Sequence, residues 1–371
     1  MTHAPILRAP VAARPAPVRK DGIMAGLKAR YFPTPLQGVA TVVLGALLIW
    51  LLPRVVDWAL VRAVWSPADP AACAAATAGA CWAVVAEKYR VMFFGTFPYD
   101  EQWRAALACV VILAATVLSA VPRFWSVWLC AVWAAAFALT LWLMLGGAGL
   151  SATSTSDWGG LPLTLLLFAG TVSLGLPLAL GLALGRDSAM PAFRYVCIAT
   201  IELFRGLPLL AVLFMASLML PLFLGDGITI DKFVRALVGM TLFFGAYAAE
   251  IVRGGLQALG KGQYEGARAL GLSYWPMMGL VILPQALKIV APALVNDIIR
   301  AFKNTSFVAI IGLFDFLGAT KAALEDPLWI RYALEAYLFL MLVYFAFCFV
   351  MSRYALWIER RLDTDVRRPA P

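Results

Sequence analysis

Residues 265–271 read EGARALG, and residues 281–284, ten positions further on, read VILP. This polar, small-residue stretch lies between strongly apolar segments. Glu, Ala and Arg favour a helix, whereas Gly and Pro end or bend one, so the stretch predicts two short helices joined by a turn near residues 271–273. Because charged groups are costly inside a bilayer, we expect residues 258–285 to lie outside it and to form a docking surface for a soluble partner.

The composition of the whole chain is that of a membrane protein. Hydrophobic residues make up 63% of the 371 residues and charged residues 14%, whereas soluble domains average about 25% charged residues. The mean hydropathy is +0.84. The apolar runs are continuous and do not alternate, which favours helices over the strands of a membrane barrel. The prediction is an all-α membrane protein with about eight transmembrane helices, each near the length that crosses a bilayer. These lie at residues 36–56, 105–121, 124–145, 161–185, 197–223, 233–253, 286–312 and 333–357.

The formal net charge of +9 sets the expected orientation. Nucleic-acid binding would be one interpretation of that charge, but no alternating basic and aromatic surface supports it. In membrane proteins Lys and Arg accumulate on cytoplasmic loops, and here they concentrate in the segments that lie inside when the N-terminus is inside. We therefore expect both termini in the cytoplasm, with a basic tail at 1–35 and a second tail at 361–371.

The small-residue segment 146–156 predicts a flexible link that divides the chain. Before it, residues 36–150 form a predicted accessory transmembrane region of three helices with an outer loop at 57–104. After it, residues 158–360 form a core unit of five spans that carries every distinctive motif.

The cysteines and the histidine restrict the expected chemistry. Cys73 and Cys81 share the predicted outer loop, where a disulfide can persist; their spacing does not decide whether they are bridged. The single histidine, His3, lies in the N-terminal tail. Because the usual clusters of His and Cys ligands are missing, we expect no metal site.

The polar stretch resembles the cytoplasmic EAA loop of ABC importer permeases. The pattern of that family is Glu-Ala-Ala, three residues, Gly, nine residues, then Ile-x-Leu-Pro. Each half of the pattern is present here with one substitution and with the spacing kept. The two substituted positions are Gly266, which replaces an Ala, and Val281, which replaces the Ile. The residues expected to couple the chain to an ATPase are Glu265, Gly266, Ala267, Arg268, Gly271, Leu283 and Pro284.

Three further blocks resemble the polar-amino-acid branch of these permeases: residues 201–210, 245–255 and 303–307. The chain length and the three additional N-terminal spans are most similar to one subunit of the general L-amino-acid importers. The resemblance implies an ABC transmembrane type-1 permease domain at 158–360 with a cytoplasmic coupling loop at 258–285. It also implies a location in the bacterial inner membrane, in contact with lipid.

The same resemblance implies a set of protein partners. They are a dimer of ABC ATPase subunits, a second permease subunit that we expect to be a related hetero-partner, and a periplasmic amino-acid-binding protein. ATP and magnesium would be bound by the partner ATPase, so no cofactor is expected in this chain. The amino acids carried and the role of the first three helices are left open.

One segment partly matches a nucleotide-binding motif. Residues 255–262 follow the spacing of a phosphate-binding loop as far as Lys261, but Gly262 stands where a Ser or Thr must hold magnesium. The segment before it is a predicted membrane helix, whereas a phosphate-binding loop follows a strand. The chain is therefore predicted to be a transporter subunit without its own ATPase site, and not an enzyme.

Charged residues within predicted spans indicate candidate functions. An amino acid that crosses a membrane needs donors for its carboxylate and an acceptor for its ammonium, and a broken helix exposes backbone groups to it. The predicted substrate path comprises Asp297, Arg300, Lys303, Asn304, Thr305 and Ser306. The alternative for each is polar helix packing. Glu202 with Arg205, and Glu250 with Arg253, are three residues apart and are interpreted as pairs that neutralise each other.

Two other classes of transport protein are alternatives to an ATP-driven importer. An ion-coupled secondary amino-acid transporter would usually show inverted repeats and a mid-membrane carboxylate; no convincing repeat is present, although Asp297 keeps this alternative open. A channel needs a selectivity ring or filter, and none is evident in the sequence.

Overall fold

The computed structural model describes residues 23–66, 70–75, 77–223, 225 and 229–366. The predicted tails at 1–35 and 361–371 lie partly outside these residues, at 1–22 and 367–371. The described chain forms two compact units. The first comprises residues up to 64 together with 72–80, and the second comprises 65–71 and 81–371.

Fifteen α-helices account for most of the described residues. They are α1 Ile23–Tyr31, α2 Pro35–Val56, α3 Ala83–Phe94, α4 Gln102–Ala120, α5 Trp128–Leu145, α6 Gly160–Arg186, α7 Pro191–Gly206, α8 Leu209–Phe214, α9 Leu220–Phe223, α10 Lys232–Ala258, α11 Lys261–Ala269, α12 Tyr274–Pro276, α13 Leu283–Asn304, α14 Phe316–Ala323 and α15 Ala333–Val366. Three π-helical segments continue α-helices: Asp57–Val61, Met215–Met219 and Met277–Ile282. Short 3₁₀ helices occur at Pro70–Ala74, Tyr99–Glu101, Pro122–Phe124, Thr155–Asp157, Thr305–Ile311 and Ile330–Tyr332. The two-residue strand β1, Phe314–Asp315, forms parallel bridges to Gly159 and Gly160.

The first unit is built around α2. Thr34 caps this helix, because its hydroxyl oxygen accepts a hydrogen bond from the amide of Gln37 at 3.3 Å, and Pro35 occupies the first turn, where its missing N–H costs nothing. No side chain of α2 is buried. A helix that is apolar on all sides fits a lipid environment.

The core of the second unit forms where α6 and α10 approach closely. A Cβ atom built on Gly175 of α6 would lie 2.4 Å from the ring of Phe244, and one on Gly245 of α10 would lie 2.8 Å from Leu178. Glycine at both positions therefore allows the two backbones to approach, as small residues do in membrane bundles. α13 also packs on α10, where Gly255 faces the carbonyl of Ala286 in the same way.

Seven helices of the described chain are long and apolar enough to cross a membrane, and an eighth crossing results if a bent pair is counted as one. The bent pair, residues 191–223, contains the span predicted at 197–223 and is broken between α7 and α8. α7 and the helix over Leu209–Phe223 meet at 109°. Leu207 and Pro208 are extended, with ψ of 144° and 141°, because the residue before a proline avoids the helical region and Pro itself cannot donate to the helix.

The predicted outer loop at 57–104 contains the helix α3, which packs on α14 of the predicted core. Lys88 of α3 lies 2.8 Å from the carboxylate of Asp326, and the rings of Phe93 and Phe316 lie 5.2 Å apart. The link at 146–156 is bound to the start of α10, since the Thr155 hydroxyl donates to the carboxylate of Asp231 at 2.5 Å. Residues assigned to the accessory region thus contribute to the packing of the second unit, while the boundary near 150 stays a prediction.

Candidate functional site

The second unit has two ends that carry different features. α11 and the turn after it mark one end, called here the α11 end. α14 and β1 mark the other, called the α14 end. α13 runs from the first to the second, and its 22 residues span roughly 33 Å at the rise of an α-helix.

At the α11 end, α11 closes in a Schellman turn. The amide of Gly271 donates to the carbonyl of Arg268 at 2.9 Å, and the amide of Leu272 donates to that of Ala267 at 3.2 Å. Gly271 has a φ of +75°, a conformation that residues with a Cβ avoid. The predicted turn is therefore present, and the sequence signal for it was the glycine.

The second of the two predicted short helices is not separate. The single turn of α12 continues through the π-helical segment Met277–Ile282 into α13, and Tyr274–Ile311 forms one helical span. Pro284 therefore does not end a helix. It lies in the first turn of α13, after the wide π turn, where its missing N–H and its ring are tolerated.

The turn presents both charged and apolar side chains to solvent. Glu265, Gly266, Arg268 and Pro284 are exposed, Leu283 is half-buried, and Ala267 is buried beneath them. Two large apolar side chains that sequence analysis missed are also exposed: Leu270 at 80% and Trp275 at 71%. Exposed large apolar side chains beside a polar turn are typical of a protein-binding surface.

Beneath the turn, a cluster of charged side chains joins three helices. Arg186 of α6 lies 3.2 Å from Glu202 of α7 and 3.6 Å from Glu250 of α10. Glu250 also pairs with Arg205 at 3.5 Å and with Arg253. The predicted pair of Glu250 with Arg253 is present, whereas Glu202 pairs with Arg186 and not, within the described residues, with Arg205. The cluster therefore ties α10, which leads into α11, to α6 and α7.

The predicted path residues on α13 begin with an ion pair. Asp297 is buried, pairs with Arg300, and has one carboxylate oxygen, Oδ2, without a hydrogen-bond partner among the described residues. The Arg300 guanidinium stacks on the ring of Tyr247, 4.1 Å from its centroid. The Tyr247 hydroxyl donates to the carbonyl of Arg205 at 3.3 Å, so this pair is connected to the bend between α7 and α8.

The remaining predicted path residues lie where α13 ends. The α-helix stops at Asn304 and continues as the 3₁₀ helix Thr305–Ile311. The Thr305 hydroxyl is buried and donates to Phe302, and that of Ser306 donates to Lys303. Lys303 itself is exposed. The structure thus brings Arg300 and Asn304 together but directs the two hydroxyls back to their own helix.

Arg300 and Asn304 line a very small space with Thr171, Met240 and Phe243. Its volume is about 10 Å³, barely enough for one water molecule. The hydroxyls of Thr171 and the nearby Thr241 are buried and have no hydrogen-bond partner among the residues that the structure describes. Buried polar groups without partners are costly, and the side chains around them leave almost no room between them. We call this small polar space the constriction.

At the α14 end, Asp315 is fully buried and caps α14. Its carboxylate accepts hydrogen bonds from the amides of Leu317 and Gly318 at 3.2 and 3.0 Å, and the Tyr344 hydroxyl lies 3.5 Å away. The residue lies between the spans that end at Ile311 and begin at Ile330. Burial raises the pKa of Asp315 to about 7 even though the amides favour its charged form.

The six cysteines include both bonded and free side chains. Cys73 and Cys81 are both disulfide-bonded, while the pairing of one with the other stays a prediction. Cys109, Cys130, Cys197 and Cys348 are free thiols. Within the described residues no group of three or more His, Cys, Asp or Glu side chains is arranged to hold a metal ion.

The known proteins that this chain resembles are membrane components of transport systems. The family described as "binding-protein-dependent transport system inner membrane component" matches residues 175–364. The inner membrane amino-acid ABC transporter permease protein YhdY of Escherichia coli (strain K12) is 47% identical over 325 residues, which cover 85% of this chain and 87% of YhdY. The glutamate/glutamine/aspartate/asparagine transport system permease protein BztC of Rhodobacter capsulatus is 34% identical over 96% of this chain and 98% of its own length.

A shorter relative matches about half of this chain. The arginine transport system permease protein ArtQ of Bacillus subtilis is 34% identical over 206 residues, which cover 92% of ArtQ but 56% of this chain. Among solved structures, "an amino acid ABC transporter with histidines" is 33% identical and covers 54% of this chain and 92% of that one, with a TM-score of 0.49.

Proposed function

The chain belongs to the family of binding-protein-dependent transport system inner membrane components, and from this premise we propose that it imports L-amino acids as one permease subunit of an ATP-driven transporter. It is a multi-pass inner-membrane protein and a transporter subunit, not an enzyme. The predicted resemblance to ABC importer permeases and the predicted all-α fold are thereby confirmed. Nothing in the structure or the relatives supports the ion-coupled alternative.

The substrate class comes from the relatives that match most of the chain. YhdY is named an amino-acid permease, and BztC is named for glutamate, glutamine, aspartate and asparagine. The polar constriction at Arg300 suits such substrates, because a guanidinium offers donors to a carboxylate. The free oxygen of Asp297 offers an acceptor to an ammonium. Lys303, Asn304, Thr305 and Ser306 complete the proposed path.

The exposed turn after α11 carries the proposal that a separate ATPase drives transport. It combines Leu270 and Trp275 as apolar contacts with Glu265 and Arg268 as charged ones, and its backbone is fixed by Gly271. Such a rigid turn can transmit a displacement of the ATPase into α10 and α13, on either side of it. The charged cluster around Glu250 would carry the movement on to α6 and α7.

The proposed assembly and orientation follow from this assignment. The α11 end faces the cytoplasm and binds a dimer of ATPase subunits, which hold ATP and magnesium, so this chain needs no cofactor of its own. The α14 end faces the periplasm and meets an amino-acid-binding protein. A second permease subunit, a related hetero-partner, encloses the path with this chain, and both termini lie inside.

Two experiments test the proposal: co-purification of partner subunits, and uptake of amino acids by the purified complex. A tagged chain, solubilised from its own membrane, should bring down an ABC ATPase and a second permease. The same complex in liposomes should take up radiolabelled L-amino acids when its binding protein is supplied outside and ATP inside. Recovery of the chain without an ATPase, or a complex that moves no amino acid, would count against the assignment.

A further inference from the structure

We propose that a cavity at the α14 end is a receiving site that holds the zwitterionic backbone of an amino acid before it enters the path; this inference rests on the proposed function. The cavity has a volume of about 240 Å³, far larger than the space of about 10 Å³ beside Arg300. Thr155, Trp158, Asp231, Lys232, Gly312 and Phe314 are among its lining residues.

The walls of the cavity are held in place by packing and hydrogen bonds. Trp158 is 2% exposed, its indole N–H donates to the carbonyl of Met144 at 3.1 Å, and its ring meets that of Phe233 edge to face at 5.4 Å. Thr155 is bound to the carboxylate of Asp231. A site whose walls are already ordered loses little conformational entropy when a small ligand binds.

Two neighbouring side chains give the cavity one charge of each sign. The Lys232 ammonium lies over Gly312, since a Cβ atom on that glycine would be 3.6 Å from the nitrogen, and Lys232 forms no ion pair within the described part of the chain. Each oxygen of Asp231 accepts one hydrogen bond, from the Phe233 amide or from Thr155. A carboxylate oxygen has a second lone pair available.

This pairing matches the two charges that every α-amino acid carries. The substrate carboxylate would accept from the Lys232 ammonium, and the substrate ammonium would donate to Asp231. Both are charge-assisted hydrogen bonds, which are stronger than neutral ones. The side chain of the substrate would lie against the rings of Trp158 and Phe314. These rings are uncharged, so they select by shape and not by charge. The cavity would therefore accept amino acids of several kinds by their shared backbone.

The cavity is connected to the constriction by one segment of chain. The 3₁₀ helix Thr305–Ile311 begins after Asn304, which lines the constriction, and ends before Gly312, which lines the cavity. Its seven residues cover roughly 14 Å at the rise of a 3₁₀ helix. In the described conformation an amino acid thus has room at Lys232 and none at Arg300, as a waiting position before a closed gate requires.

Matched substitutions in the complete transporter test the site. Lys232→Gln removes the ammonium, and Asp231→Asn removes the charge but keeps a good helix cap. The control, Arg331→Gln, removes an exposed cation at the same end, outside the cavity.

Uptake of radiolabelled L-glutamine and L-glutamate should fall about tenfold in Lys232→Gln and Asp231→Asn, the factor expected for one charged hydrogen bond. ATP hydrolysis stimulated by the binding protein should remain within about twofold of that of the unaltered complex, because the ATPase contacts lie at the other end. Arg331→Gln should transport normally.

The outcomes separate this inference from the proposed function. If the unaltered complex imports amino acids and Lys232→Gln and Asp231→Asn import them as well as Arg331→Gln does, the receiving site is wrong and the proposed function stands. If the unaltered complex imports no amino acid, both are wrong. If ATP hydrolysis falls in parallel with uptake, the cavity serves the docking of the binding protein and the receiving site is again wrong.

Protection from labelling tests occupancy directly. A Ser156→Cys variant places a thiol in the cavity, and a Leu328→Cys variant places one at an exposed position of the same end. In the assembled complex, L-glutamine should slow the reaction of the first thiol with a charged, membrane-impermeant reagent and leave the second unchanged. Glutaramic acid, without the ammonium, and 4-aminobutanamide, without the carboxylate, should protect poorly. Equal protection by all three compounds, or none by L-glutamine, would overturn the site.

Discussion

The amide of Leu272 donates to the carbonyl of Ala267 across 3.2 Å, and together with the bond from the Gly271 amide to the carbonyl of Arg268 it closes the turn that ends α11. Ala267 belongs to the buried core and Leu272, which is partly buried, packs against it, so the turn is anchored from beneath while Leu270 between them is 80% exposed. An exposed turn on a fixed base can pass on a force applied by a partner.

Replacing Gly271 should uncouple the chain from its ATPase. Gly271→Val forces a β-branched residue into a φ of +75°, which costs about 1–2 kcal/mol for a residue with a Cβ. Apart from its chain neighbours, no described residue lies within 4 Å of a Cβ built there, so within this subunit the effect is mainly on the backbone. Membrane insertion should be normal, whereas the amount of co-purified ATPase and the rate of uptake should fall several-fold. Gly262→Val, at an exposed glycine with a negative φ, is the control; equal uptake in both variants would contradict coupling through this turn.

Replacing Leu270 should weaken ATPase binding without destabilising the chain. The side chain is exposed, so Leu270→Asn removes little packing within this subunit. Apolar anchors at the centre of an interface contribute about 2 kcal/mol or more when truncated, which is at least a tenfold loss of affinity. Titration of the purified ATPase against the permease pair measures the effect. Leu328→Asn, a change of the same kind at the α14 end, should bind the ATPase normally, and a similar loss in that variant would count against the assignment.

Removing the charge of Glu250 should destabilise the bundle more than removing that of Glu202. Glu250 lies among Arg186, Arg205 and Arg253, whereas Glu202 is more exposed and has only Arg186 as an ion-pair partner within the described residues. Breaking a fully buried pair costs 3–5 kcal/mol. Because the side chain of Glu250 is 23% exposed, we expect about 2 kcal/mol for Glu250→Gln. Thermal unfolding of both variants in detergent checks the order, and a larger effect for Glu202→Gln would contradict the description of the cluster.

The buried carboxyl of Asp315 should make stability depend on pH. Its folded-state pKa of about 7 lies above the ordinary value of 3.8, so between these values the folded chain binds more protons than the unfolded one. Stability should therefore fall as the pH rises from about 4 to about 7 and then level off, according to proton linkage. Asp315→Asn keeps the helix cap and should lose this dependence. Melting temperatures of both proteins over that range provide the test; identical slopes would show that Asp315 does not titrate this way.

The sequence was sufficient for features that depend on neighbours along the chain. The turn at Gly271 followed from a glycine after a helix-favouring run, and the end of α13 at Asn304 followed from a run of polar residues inside an apolar span. The bend at Pro208 was missed although Leu207-Pro208 carries the local signal, because the apolar run continues on both sides and was interpreted as one span.

Contacts between distant residues could not be derived from spacing. Glu202 and Arg205 have the separation of a helical pair, yet Glu202 binds Arg186 because α6 and α7 lie side by side. The receiving cavity combines Thr155, Asp231 and Gly312, which come together only after the helices have packed. Asp315 looks like an ordinary helix cap in sequence, but the structure packs its segment against a distant helix: the amide of the neighbouring Phe316 donates to the hydroxyl of Thr164, which lies 152 positions before Phe316.

The source of energy for uptake tests the central claim most directly. The complete complex in liposomes, with its binding protein outside, should accumulate radiolabelled L-glutamine when ATP is inside, and ionophores that collapse all ion gradients should leave the initial rate unchanged. Omitting the ATPase subunit should abolish accumulation. If the purified chain alone concentrated the amino acid in response to an ion gradient, without the ATPase and without ATP, the account of a permease driven through the turn at Gly271 would be wrong.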